Sequence, residues 1–168
     1  MKVLVLYGTN PFEFTTMNQV LRCAPVNWEI IVQYGNSKLS PELHNSFSFI
    51  KQGDLLKLTK EVDAILCQGG YGSIWLGLES AKPIYVIPRN TVKQECLDDQ
   101  DDLADYYEGR GLVRKVSEFS LSSIWEYIAS DYHQFQHDSQ IALSRYIAMA
   151  PRIDLQISSI LDSENDDV

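Results

Sequence analysis

The sequence predicts a single α/β domain in which a mostly parallel sheet carries helices on both faces. Three observations predict it. Short apolar runs alternate with helical stretches along the chain, the pattern of parallel strands joined by crossover helices. The runs KVLVLY (2–7), DAILCQ (63–68) and IYVI (84–87) are apolar almost throughout, as strands buried on both faces are. Glycine-bearing loops follow three of the strands, at Gly8, Gly35 and Gly69.

Residues 2–7 form the first strand, stopped by Gly8. A loop over 9–14 leads into a helix at 15–24, with Thr15 or Thr16 as its cap and Pro25 at its end. Residues 28–34 (WEIIVQY) form a second strand, closed by Gly35. The alternating segment 46–50 (SFSFI) reads as a short strand, and 54–62 as a helix with Leu55, Leu56 and Leu58. Strand 63–68 is followed by the loop Gly69-Gly70-Tyr71-Gly72 and a helix at 73–80, which Lys82-Pro83 breaks. Strand 84–87 stops at Pro88. Residues 98–109 read as a helix whose acidic start suits the helix dipole, and 111–116 as a last short strand. From Ser120 the pattern is helical, Pro151 divides the tail, and the acidic end 162–168 is expected to be disordered. The domain then covers 1–115, with C-terminal helices over 116–161 packing on it. Right-handed crossovers place the strand C-terminal ends along one edge, the ligand edge of a Rossmann-like sheet.

The 168 residues suffice for one domain with a real core. Apolar residues make up 45% and charged residues 22%, an ordinary globular composition. A net charge of -9 argues against a nucleic-acid partner bound through phosphate neutralisation, and against direct adhesion to an anionic membrane. The odd set of Cys23, Cys67 and Cys96 reads as reduced thiols in a cytoplasmic protein. The apolar run 3–7 is too short for a signal peptide, and no stretch reaches the length of a membrane span.

The sharpest feature is Gln68-Gly69-Gly70-Tyr71-Gly72-Ser73, between a strand and a helix. Glycines let backbone approach a ligand and adopt positive φ, and free N–H groups at the helix start can face a phosphate. Ser73 adds a hydroxyl or caps the helix. A strand-to-helix turn with no ligand uses the same residues, and the loop alone does not separate the two. It is not a Walker A loop, since no Gly-Lys-Ser/Thr follows. Nor is it the dinucleotide fingerprint, which follows the first strand with different spacing.

The stretch 64–102 contains ILCQGGYGSIWLGLESAKPIYVIPR and then LDDQ. It resembles the core motif of the MurG-like glycosyltransferases: a His-Gly-Gly-x-Gly-Ser type loop, a helix, Gly-Lys-Pro, a strand ending in Pro-Arg, and an Asp-His-Gln turn. VLYGTNPFEF and IIVQYGNS are similar to the family's first two strands and loops. The resemblance covers about residues 1–115 and is closest in kind to small single-domain relatives. These are the catalytic subunit of the eukaryotic lipid-linked N-acetylglucosamine transferase and the PssE-type subunits of exopolysaccharide synthesis. It implies one half of a GT-B glycosyltransferase, binding a UDP-sugar as donor substrate without a cofactor or a metal. A membrane-anchored partner would supply the acceptor-binding half and recruit the chain to the membrane. On this resemblance Gly8 and Thr9 lie near the diphosphate. Gln68, Gly69, Gly70, Tyr71, Gly72 and Ser73 form the phosphate loop, and Gln100 matches the glutamine that holds the sugar.

Three positions depart from the family pattern. Its loop histidine is Gln68, the acidic residue expected to hold the ribose hydroxyls is Leu76, and the histidine before Gln100 is Asp99. Glu79, one turn beyond Leu76, is the candidate substitute. Losing a bidentate ribose contact costs about 1–3 kcal/mol. A catalytically degenerate binding or scaffolding subunit of the same fold is therefore the alternative function. No catalytic residue is assigned.

Other signals carry less. Asp99-Gln100-Asp101 matches an Asp-x-Asp metal motif, but these carboxylates open a helix, where they read as solvated. His44, His133 and His137 lack further ligands at metal spacing. Cys67 reads as core. Trp125, Tyr127, Tyr132, Phe135 and Tyr146 in the tail read first as packing on the sheet and second as an interface, with a partner subunit or in a homodimer.

Overall fold

The computed structural model describes residues 1–38, 45–117 and 119–165, with side chains through residue 149. Six strands build one sheet among these residues: β1 (Lys2–Leu6), β2 (Glu29–Gln33), β3 (Ser46–Phe47), β4 (Ala64–Gln68), β5 (Ile84–Ile87) and β6 (Arg114–Lys115). Their order is β3-β2-β1-β4-β5-β6, and every neighbouring pair is parallel. The helices are α1 (Thr15–Leu21), α2 (Gln52–Glu61), α3 (Tyr71–Glu79), α4 (Asp101–Glu108) and α5 (Ile124–Asn165). This is the doubly wound, Rossmann-like arrangement that the alternation predicts.

The period-two side-chain alternation sorts the apolar strands onto two cores. Val3, Val5 and Tyr7, Ala64 and Leu66, Tyr85 and Ile87 face one way, against Met17, Val20 and Leu21 of α1. Leu4 and Leu6, Ile65 and Cys67, Ile84 and Val86 face the other way, against Ile74, Leu76 and Leu78 of α3 and Ala104 and Tyr107 of α4. The long helix α5 serves both. Ile124, Trp125, Ile128 and Phe135 join the α1 face, while Ala142, Leu143 and Tyr146 pack on the α4 face. The tail aromatics Trp125 and Phe135 are thus core, and the Trp125 indole N–H donates to Val20 O at 2.8 Å.

Several boundaries differ from the sequence expectation for local reasons. Neither Thr15 nor Thr16 caps α1. Phe14 holds the cap position without a side-chain bond, and the Glu95 carboxylate, distant in sequence, accepts from the Thr16 N–H at 2.7 Å. Helix α4 starts at Asp101 rather than 98, because Gln100 is its cap residue and accepts from Ala104 N through its carbonyl. The helix α5 runs through Pro151, where the sequence divides the tail, although proline removes one backbone bond there. The acidic end 162–168 overlaps the last turn of α5, and residues 166–168 lie outside the described residues. His44 does too, while His133 and His137 are exposed on α5.

Glycine contacts give a test of the packing. A Cβ at Gly77 would meet Ile84 Cγ1 at 2.6 Å and Cδ1 at 2.7 Å, whereas at Gly53 in α2 it would meet nothing within 4 Å. Alanine gains about 0.5–1 kcal/mol over glycine inside a helix, but overpacking a core costs about 1–3 kcal/mol. Gly77→Ala is expected to lower the thermal midpoint and Gly53→Ala to raise it slightly, both read by calorimetry. A gain at Gly77 would contradict the close seat of α3 on β5. Cys67 is fully buried, and burial pushes its thiol up, whereas Cys23 is exposed. Since thiolate is the reactive form, iodoacetamide should modify Cys23 in the native protein at mildly alkaline pH and spare Cys67 until denaturant is added. Prompt native labelling of Cys67 would contradict the burial of β4.

Candidate functional site

The sheet order fixes where a ligand can sit. The chain runs outward from β1 through β2 to β3, then returns to place β4 on the other side of β1. The loops after β1 and β4 therefore diverge and leave a crevice at the strand C-terminal edge. A cavity of about 440 Å³ opens there. Its floor and polar wall are Gly8, Thr9, Gln33, Gln68, Gly72 and Ser73, and Leu76 and Glu79 extend it along α3. Phe49, Ile50, Tyr71 and Trp75 form an exposed aromatic and aliphatic rim. Tyr71 and Trp75 stack with ring centroids 5.9 Å apart.

Two buried glutamines shape this wall. Gln33 ends β2, and its side-chain amide pairs with the peptide of Gly8 in both directions. Gly8 N–H donates to Gln33 Oε1 at 3.2 Å, and Gln33 Nε2 donates to Gly8 O at 3.3 Å. The same Nε2 donates to Ser48 O at 2.8 Å, which ties in the segment after β3. Gln68 ends β4. Its Oε1 accepts from Gly70 N–H at 2.7 Å, and its Nε2 donates to Ser73 Oγ at 3.1 Å. Glycine is required around them. A Cβ at Gly8, itself at φ +74°, would lie 2.8 Å from Gln68 Nε2, and one at Gly70 would overlap the same amide.

These bonds decide which groups can meet a ligand. The Gly70 N–H is already held by Gln68. Ser73 and Ile74 N–H groups both bond to Gly70 O at 3.2 Å. Among the described residues, the amides of Tyr71 and Gly72 carry no hydrogen bond. They stand at the start of α3, a helix of nine residues whose dipole favours an anion there. The Ser73 hydroxyl accepts from Gln68 and keeps its own proton to donate. Glu79 is the sole charged side chain on the cavity wall among the described residues.

The structure thus brings Gly8, Thr9, Gln68, Tyr71, Gly72, Ser73 and Glu79 together on one cavity. Gly69, Gly70 and Gln100 are behind it. A Cβ at Gly69 would lie 2.8 Å from Gln100 Cβ, so this glycine lets two loops pack. Gln100 accepts from Arg89 N–H at 3.1 Å through Oε1. Leu76 lines the wall as an apolar group, 7% exposed.

Sequence reasoning assigned no role to Gln33, to the rim residues Phe49, Ile50 and Trp75, or to Arg89 and Glu95. Arg89 is 1% exposed, and burial pulls its guanidinium below the usual range while the Glu95 charge opposes that shift. Among the described residues, Arg89 Nε and Glu95 Oε2 have no hydrogen-bond partner. Two charged residues in an irregular loop have no periodicity, so nothing in the sequence marks them as buried. A second groove of about 580 Å³ lies beside the turn between α4 and β6. Arg110, Arg145, Tyr146 and Met149 line it. Among the described residues no three of His, Cys, Asp and Glu gather at a metal-binding geometry.

No family model matches the chain, and no curated protein matches it. Solved structures do. Spinosyn forosaminyltransferase SpnP is similar with a TM-score of 0.62 and 13% identity, over 94% of this chain and 44% of that one. MurG of Acinetobacter baumannii is similar with a TM-score of 0.56 and 13% identity, over 90% and 49%. SsfS6, a glycosyltransferase of Streptomyces sp. SF2575 solved with thymidine diphosphate, has a TM-score of 0.56 and 17% identity, over 86% and 37%. The chain spans less than half the length of each of these enzymes. At such identities the likeness is one of fold, and it agrees with the resemblance carried by the glycine loop: this chain has the MurG-like fold of one half of a GT-B glycosyltransferase.

Proposed function

We propose that the chain binds a UDP-sugar in the switch-point cavity and acts as the donor-binding part of a glycosyltransferase. The observation that carries this reading is the pair of unpartnered amides at Tyr71 and Gly72, which open α3 onto the cavity beside Gly8 and Thr9. Backbone donors fixed before the ligand arrives need no reorganisation as charge develops, which is how a leaving diphosphate is stabilised best. The cavity also has the volume expected for a small-molecule site.

In the transfer, an acceptor hydroxyl oxygen bonds to the anomeric carbon as the bond from that carbon to the diphosphate breaks. UDP departs with the electron pair, and the acceptor proton passes to a base. The amides of Tyr71 and Gly72 and the Ser73 hydroxyl would bear on the departing oxygens. No base within this chain is assigned, and the acceptor and base are proposed to come from a membrane-associated partner subunit. The chain would then work in the cytoplasm, held at the membrane by that partner in making a lipid-linked glycan or surface polysaccharide. No described helix is long and apolar enough to cross a membrane.

One observation favours a second reading, a non-enzymatic binding subunit. Gln68 already occupies Gly70 N–H and contacts Ser73, and Leu76 offers no polar group where the resemblance implies a ribose contact. Fewer donors remain than the glycine loop alone promises.

Calorimetric titration with UDP and a panel of UDP-sugars tests the first reading. Gly72 suits the test because a Cβ there meets nothing within 4 Å, so Gly72→Glu should fold while placing a carboxylate on the anion site. Saturable binding by the wild type is expected, weakened by about tenfold to a hundredfold in Gly72→Glu, the equivalent of about 1–3 kcal/mol. Binding that ignores Gly72→Glu would remove the anion site from this loop. No binding at millimolar UDP, alone and with the partner, would favour the second reading.

A further inference from the structure

Arg89 follows β5 and Pro88, and it does not reach the cavity. Its guanidinium lies over the Phe14 ring at 4.3 Å from the centroid. Nη2 donates to Tyr7 O at 3.0 Å, and Nη1 donates to Phe12 O at 3.0 Å and to Glu95 O at 2.9 Å. Tyr7 is the residue before the turn 8–11, and Phe12 is the residue after it. One side chain therefore holds both ends of the turn that carries Gly8 and Thr9. The Arg89 backbone reaches the opposite wall. Its N–H donates to Gln100 Oε1 at 3.1 Å, and Gln100 packs against Gly69 at the start of the phosphate loop.

We propose that Arg89 is a positioning residue for the cavity. Its guanidinium clamps the two ends of the 8–11 turn, and its backbone N–H, through Gln100, ties that turn to the loop opening α3. A lysine could not replace it, because a single ammonium lacks the planar fork that spans two carbonyls on separate segments. Glu95 belongs to the same device. It supplies a carbonyl to Nη1, a nearby negative charge, and an acceptor for the Thr16 N–H at the start of α1. The turn is then anchored from the strand, from the helix that follows it, and from the facing loop. For its ligand the proposal rests on the nucleotide reading above; for the turn itself it does not.

The test compares the wild type, Arg89→Lys and Ile128→Val, the last a core change on α5 remote from the cavity. Two readouts are needed. Amide hydrogen exchange at Gly8, Phe12 and Phe14 reports on the turn, since each of these N–H groups has a side-chain acceptor. UDP titration reports on the site. Arg89→Lys should exchange faster at these amides and bind UDP about tenfold more weakly, a usual scale for a site left loosely held. Ile128→Val should change neither beyond what its lower global stability explains. Exchange at the turn no faster than in Ile128→Val overturns the clamp. Faster exchange with unchanged UDP affinity overturns the positioning role. If the wild type binds no UDP, the nucleotide reading fails, and the exchange rates alone decide whether Arg89 holds the turn. Should Arg89→Lys not fold, Phe14→Leu removes the ring beneath the guanidinium and provides the same comparison.

Discussion

Backbone packed against backbone at the C-terminal edge of the sheet is the constraint on which the site depends. A Cβ at Gly35 would come within 2.5 Å of Gly8 O, and one at Gly8 or Gly70 would run into the Gln68 amide. Three loops can meet there because all three give up side chains at the contact. Close approach alone would leave buried polar groups unpaired, which is costly. The two glutamines solve this by pairing their amides with the peptide groups the loops expose: Gln33 with Gly8 and Ser48, Gln68 with Gly70. Among the described residues, the amides of Tyr71 and Gly72 are left without a hydrogen-bond partner at the cavity.

The sheet and its helices hold that edge still. Fully apolar strands leave both faces in need of cover, and α5 covers both by passing from the α1 side to the α4 side. A polar cluster fastens its N-terminal third: Asp131 accepts from Tyr85 OH at 3.3 Å and pairs with Arg114 Nε at 3.5 Å, while the Arg114 guanidinium lies over Phe135. The cavity thus sits on rigid elements, which favours a pre-formed site. The exposed rim of Phe49, Ile50, Tyr71 and Trp75 is the part without cover.

Much of this was legible in the sequence, and the reason is periodicity. Continuous apolar runs at 2–7, 63–68 and 84–87 marked buried parallel strands, and the glycines after them marked the edge that carries the site. Gly8, Thr9, Tyr71, Gly72, Ser73 and Glu79 were all named from loop chemistry or resemblance, and all line the cavity. Gln100, Gly69 and Gly70 were read as ligand contacts, yet the structure uses them to pack and pair the loops. A motif records that a residue is required there, and it does not say whether the ligand or the neighbouring loop requires it. Glu95 was invisible for a different reason. It caps a helix almost eighty positions earlier in the chain, and no local pattern encodes such a contact. Thr15 and Thr16 looked like caps because caps are normally local, and here a distant carboxylate took the place.

The central claim is that the ligand edge is the crevice between the loops after β1 and β4. Amide chemical-shift mapping of the labelled protein during a UDP titration tests it most directly. The account predicts shifts concentrated at Gly8, Thr9, Tyr71 and Gly72, saturating together. Shifts centred instead on the groove of Arg110 and Arg145, with the glycine loops unmoved, would contradict it.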